Sequence, residues 1–137
     1  MVQRPLILAI DDEPNILKMI SVNLSLEGYR IITASDGASA LILFDEYEPD
    51  LVILDIIMPG MDGFEVIDRI RQRGSNVPII ILSGRDDVNS LREALDKGAD
   101  DYIAKPFNIH LLLARVRSKI RRAGYPKQTN NGSMLVS

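Results

Sequence analysis

In this 137-residue chain, polar side chains follow directly on short apolar runs. Asp11 and Asp12 come after LILAI, Asp55 after LVIL, Ser83 after PIIIL and Lys105 after DYIA. Clustered carboxylates repel one another, and a hard divalent cation relieves that repulsion. Mg2+ is held by one or two carboxylates together with waters and phosphate oxygens. A carboxylate can also attack a phosphoryl group and form an acyl phosphate. Such a transfer needs in-line positioning and neutralisation of the equatorial oxygens, which a cation, the Lys105 ammonium and the Ser83 hydroxyl can supply. No general base is required, because an ionised carboxylate carries no proton.

Asp55 is the expected reactive group. It ends the apolar stretch of Leu51–Gly63, LVILDIIMPGMDG, and the turn residues Pro59, Gly60, Asp62 and Gly63 follow within a few positions. An acid there sits on the rim of a sheet. A lone Asp after a strand more often caps a helix, and Asp12 and Glu13 suit a helix N-terminus. The capping role explains neither Asp11 nor a Lys before Pro directly after a buried strand. Gly60 and Gly63 read as loop geometry without chemistry, and His110 as a surface helix residue.

The elements that must position these groups follow from periodicity. Leu6–Ile10 predicts a strand, and Pro14 opens a helix whose Ile16, Met19, Ile20, Asn23 and Leu24 share a face up to Gly28. Arg30–Ala34 predicts a more polar strand near an edge, followed by a helix through Ala40, Leu41 and Phe44. Leu51–Leu54 is the third strand, and a helix from near Gly63 carries Phe64, Val66, Ile67 and Ile70. Pro78–Leu82 is the fourth strand, and a weakly periodic helix spans roughly Asp87–Lys97. Asp101–Ala104 is the fifth, and Ile109, Leu112, Leu113, Val116 and Ile120 form the stripe of a final helix. Strand–helix alternation implies an α/β fold, a parallel sheet with helices on both faces. Right-handed crossovers place every carboxyl end on one edge, where open sheets of this kind bind ligands.

The totals narrow the function. Net charge is −3, which does not favour nucleic acid or an anionic membrane. The absence of cysteine removes disulfides, zinc–thiolate sites and thiol nucleophiles, and the single His110 argues against histidine-based metal sites and triads. No apolar run approaches the ~20 residues of a membrane span, and MVQRPLILAI is too short for a signal peptide. A cytoplasmic location is expected. The expected domain covers residues 4–123. Residues 124–137 read as a linker or disordered tail, with Met134, Leu135 and Val136 the start of a further domain or the end of a stand-alone one.

LILAIDDEPNI, LVILDIIMPGMDGFEV, PIIILSGRDD and GADDYIAKPF, in this order and spacing, closely resemble the receiver domain of bacterial two-component response regulators. The resemblance covers about Pro5 to Gly124. It implies a flavodoxin-like doubly wound (βα)5 fold with strand order 2-1-3-4-5. It makes Asp55 the phosphoacceptor. Asp11, Asp12, Asp55 and the backbone carbonyl of Ile57 become the Mg2+ site, with Asp11 acting largely through water. Ser83 becomes the switch hydroxyl, Lys105 the phosphate-binding lysine with a cis bond to Pro106, and Tyr102 the aromatic that swings inward after Ser83. The implied phosphate source is a sensor histidine kinase, a histidine phosphotransfer protein or a small phosphodonor.

The branch with winged-helix DNA-binding output is the most similar. In it the fourth helix, fifth strand and fifth helix form a phosphorylation-dependent homodimer face with charge pairs, and any DNA contact is made by the separate output domain. Asp100, Asp101, Arg115 and Arg122 match that pattern, and Leu95 lies on the same face. Leu91, Arg92 and Leu111 depart from it, so a Leu91–Leu111 contact is expected where the branch has an ion pair. Ile57 and Arg85 beside the phosphate site imply slow self-dephosphorylation, and Gly84 leaves room for donors. Leu17 and Leu26, read as exposed apolar residues on the first helix, are candidate kinase contacts. The competing classes are a Mg2+-dependent phosphohydrolase with an aspartyl-phosphate intermediate and a non-phosphorylated pseudo-receiver. The first is disfavoured by Ile56, Ile57 and Met58 after Asp55, and the second by the complete acid–lysine set.

Overall fold

The computed structural model describes residues 4–84, 88–122 and 124. In chain order they form β1 (Leu6–Ile10), α1 (Pro14–Leu26), β2 (Arg30–Ala34), α2 (Gly37–Tyr47) and β3 (Leu51–Asp55). Then follow α3 (Gly63–Gln72), β4 (Ile79–Ser83), α4 (Val88–Asp96), β5 (Asp101–Ala104) and α5 (Ile109–Arg122). The strands make one parallel sheet in the order β2-β1-β3-β4-β5, as expected.

Strands β1, β3 and β4 are buried along their whole length because helices cover both faces. Alternate residues serve the two layers. Leu8, Ile10, Val52, Leu54, Ile79 and Ile81 pack with Phe44 of α2, Ile67 and Ile70 of α3 and Ala94 of α4. Ile7, Ala9, Leu51, Ile53, Ile80 and Leu82 pack with Ile20 and Leu24 of α1 and Leu112, Val116 and Ile120 of α5. The partly polar β2 lies at one edge and β5 at the other.

Local chemistry sets the joints. Pro14 starts α1. Asp36 caps α2 by accepting the Ser39 N–H at 2.7 Å, and Asp62 caps α3 by accepting the Glu65 N–H at 3.0 Å. Glu48 closes α2 in the left-handed region, φ 48°.

Three expectations need adjustment. Strand β4 runs Ile79–Ser83, one residue later than Pro78–Leu82, because Pro78 brings only a carbonyl, which accepts the Val52 N–H. Ser83 instead joins the ladder opposite Ala104. Helix α4 is Val88–Asp96 among the described residues and ends one residue before the expected Lys97, while Asp87 lies outside the described residues. Leu17 is half-buried against the α1–α5 core rather than exposed. Leu26 is 80% exposed and Val22, a turn before it, 50%. Arg85 and the tail from residue 125 fall outside the described residues.

Candidate functional site

The parallel topology brings the carboxyl ends of β1, β3, β4 and β5 to one edge, and the polar residues following them meet there. Asp11 is 1% exposed and Asp55 4%. Such burial of two acids is tolerated only with partners. Lys105 supplies the shared one. Its Nζ donates to Asp11 Oδ2 at 2.7 Å, Asp55 Oδ2 at 3.1 Å and Glu13 Oε1 at 3.3 Å. The other oxygens accept backbone donors: Asp11 Oδ1 takes the Glu13 N–H at 2.9 Å and Asp55 Oδ1 the Ile57 N–H at 3.0 Å.

Burial pushes the Asp55 carboxyl above the ordinary aspartate range, and the Asp11 charge adds to the push. The Ile57 N–H and Lys105 oppose it without cancelling it. Burial pulls Lys105 down, but its bonds to Asp11 and Asp55 outweigh that, so the ammonium is held more firmly protonated than a free lysine. The pocket therefore carries an excess of negative charge around one fixed cation.

Carboxylate oxygens of Asp11, Asp12, Glu13 and Asp55 lie within 4.8 Å of one another. Asp12 and Glu13 are exposed, so the cluster opens to solvent on that side. An all-oxygen donor set with an open side, around anions strained by burial, fits a hard divalent cation. Ser83 is fully buried at the end of β4 and its carbonyl accepts the Lys105 N–H at 2.7 Å, joining two site residues directly. The Lys105–Pro106 peptide is cis. Tyr102, opposite Ile81 in the sheet, is half-buried against the α2–α3 side of the core. Ile57 is 46% exposed beside Asp55.

A model of the response regulator receiver domain matches residues 7–117. The chain belongs to this family. The receiver is 48% identical over 117 residues to the transcriptional regulatory protein KdpE of Mycobacterium tuberculosis, covering 85% of this chain and 51% of that protein. It is 40% identical over 135 residues to the DNA-binding dual master transcriptional regulator RpaA of Synechocystis, covering 97% of this chain and 56% of the relative. The chain thus spans about half the length of the curated relatives it matches. Among solved structures, the receiver domain of Francisella response regulator 1452 aligns with TM-score 0.83 and 34% identity, covering 87% of this chain and 98% of that one. The Vibrio cholerae chemotaxis protein CheY4 gives 0.82 and 32%, covering 85% and 99%.

On the α4–β5–α5 face of the receiver, Leu91, Leu95 and Leu111 are 38%, 46% and 41% exposed, and Val88 of α4 is 66% exposed. Arg92 and Arg122 are also exposed. The acids expected there have partners within the chain. Asp100 Oδ2 accepts from Arg71 Nη2 at 3.1 Å and from the Ile79 N–H at 2.8 Å. Asp101 is paired with Arg115 at 2.9 Å.

Sequence reasoning passed over three residues. Glu13 was read as a helix-start acid, yet it reaches Lys105. Gly63 was read as loop geometry, yet a Cβ there would lie 2.5 Å from the Ile56 Cα and 2.7 Å from the Asp55 carbonyl oxygen. Only glycine lets α3 approach the backbone at Asp55 and Ile56 this closely, and the Gly63 N–H donates to the Ile56 carbonyl at 2.9 Å. The Asp-Gly pair at a helix start was the available signal. Arg71 carried no signal at all.

Proposed function

We propose that this receiver is a phosphorylation-activated switch in which Asp55 accepts a phosphoryl group in a Mg2+-dependent reaction. The observation that carries the reading is the buried Asp55 carboxylate, bonded to Lys105 inside a cluster of acids at the sheet edge. An Asp55 oxygen attacks phosphorus. The new O–P bond forms as the bond from phosphorus to the donor breaks, and the electron pair leaves with a kinase histidine nitrogen or a carboxylate such as acetate. Asp11, Asp12, Asp55 and the Ile57 carbonyl would hold Mg2+, which supplies charge neutralisation on the transferring group. Lys105 is placed to trade its bond with Asp55 for one with a phosphoryl oxygen.

Ser83 and Tyr102 are then the transmitting residues. The phosphate draws the Ser83 hydroxyl, Tyr102 follows inward, and the α4–β5–α5 face shifts between two populated states. The partner on the input side is a sensor histidine kinase or histidine phosphotransfer protein. On the output side it is a second copy and, through a DNA-binding domain like those of the regulatory relatives, the control of transcription in the cytoplasm. As a domain, residues 4–123 act as a regulator with slow self-dephosphorylation rather than a turnover enzyme.

The test is intact mass after incubation with acetyl phosphate, with and without Mg2+, for the wild type and Asp55→Asn. The expected result is a Mg2+-dependent gain of one phosphoryl group, absent in the variant. No gain with the fold intact overturns the reading in favour of a pseudo-receiver. Release of inorganic phosphate without accumulation overturns it in favour of a hydrolase.

A further inference from the structure

Lys105 is a resident cation in the pocket that a divalent cation must enter. It lies between the two buried acids, 2.7 Å from Asp11 and 3.1 Å from Asp55. Two cations sharing those oxygens repel one another, so metal entry requires Lys105 to loosen its hold. A lysine side chain that is only 14% exposed cannot simply relax into water. It needs another acceptor within reach. Glu13 is that acceptor: Oε1 is 3.3 Å from Nζ, the longest of the three contacts, and its side chain is 61% exposed on the solvent side of the cluster. The inward pair of bonds is shorter and part-buried, and the outward one is longer and exposed to solvent.

We infer that Glu13 is a positioning residue that receives the Lys105 ammonium as the divalent cation takes up Asp11 and Asp55, and so sets the metal affinity of the pocket through Lys105. The inference deepens the Mg2+ reading above and rests on it. Glu13 works by reach. Its carboxylate must extend to Nζ, and a negative charge merely somewhere nearby does not serve. Asp12, the neighbouring acid on the open side, makes no such contact with Lys105 among the described residues, and so leaves this role to Glu13.

Glu13→Asp separates reach from charge, since it keeps the carboxylate and shortens the arm by one methylene. Calorimetric Mg2+ titration of the unphosphorylated protein is the measurement. Glu13→Gln and Glu13→Asp should both weaken Mg2+ binding by roughly threefold or more. In a Lys105→Met background, which should itself bind Mg2+ more tightly, Glu13→Asp should have no effect.

Wild-type affinity in Glu13→Asp, with only Glu13→Gln weakened, overturns the inference by showing that plain charge is at work. Equal weakening by Glu13→Asp with and without Lys105 also overturns it, and makes Glu13 a direct ligand. Glu13 is exposed, so its variants should fold, and their comparison with Lys105 in place decides between reach and charge without the Lys105→Met background. No Mg2+ binding by the wild type would instead be a failure of the metal site itself, a different result from either of these.

Discussion

Gly63 and Asp55 are in backbone contact: a Cβ on Gly63 would lie 2.7 Å from the Asp55 carbonyl oxygen and 2.5 Å from the next Cα. The obstruction is backbone, which cannot rotate aside. Gly63→Ala should therefore destabilise the protein by about 2 kcal/mol or more and slow phosphorylation by moving Asp55. Gly60→Ala is the control. Its φ of 79° is strained for alanine, but nothing lies within 4 Å of the added carbon. It should cost about 1–2 kcal/mol and leave the phosphorylation rate of the folded protein unchanged. Chemical denaturation and the acetyl phosphate reaction measure both.

Asp55 is raised by burial, with Asp11 adding to the effect. A folded-state acid with a raised pKa binds protons more tightly than in the unfolded chain. Its ionisation therefore destabilises the fold, and stability falls as pH rises through the carboxylate range. Asp55→Asn should raise the thermal midpoint at pH 7 by about 3 °C or more. The gain should shrink as pH falls through the raised Asp55 range and be gone below about 4, where aspartate is protonated in both states. Thermal melts of the two proteins across pH, without divalent cation, test the sign.

Ile57 stands 46% exposed beside the Asp55 carboxylate, with its N–H on Asp55 Oδ1. In the proposed switch, a branched apolar side chain there would hinder a water attacking the phosphorylated Asp55. Ile57→Asn should speed loss of the phosphoryl group severalfold while leaving its acquisition intact, followed by intact mass over time. An unchanged rate would show that access is controlled elsewhere.

Arg71 ties three segments together. It donates to the carbonyls of Gly98, Ser75 and Val77 and to Asp100. Arg71→Ala leaves these acceptors short of donors and should cost about 2–4 kcal/mol. Arg71→Lys should recover only part, because an ammonium cannot reproduce the planar fork. Denaturation midpoints report both.

Leu91 and Leu111 are exposed on the face proposed for dimers, where Asp100 and Asp101 already have partners within the chain. An apolar contact should then dominate association. Leu111→Asp should weaken dimerisation of the phosphorylated protein by about tenfold or more, read by sedimentation. An unchanged association state would remove this contact from the interface.

The sequence by itself determined the strand–helix alternation, the buried character of β1, β3 and β4, and the acids, hydroxyl and lysine at the strand ends. These are local properties: periodicity of two or 3.6 residues, a proline that opens a helix, a polar residue closing an apolar run. Tertiary structure decided which of those groups touch. Lys105 meets Asp11 across 94 positions and Asp55 across 50, and its third contact, Glu13, had looked like a helix-start acid. Asp100 matched a dimer pattern by type but is held by Arg71, 29 positions away. Gly63 had looked like a turn residue until α3 was laid against the loop of Asp55. No local pattern encodes such distances, because they depend on strand register and on how closely a helix approaches the sheet. Both are fixed only when the two layers of the core pack together.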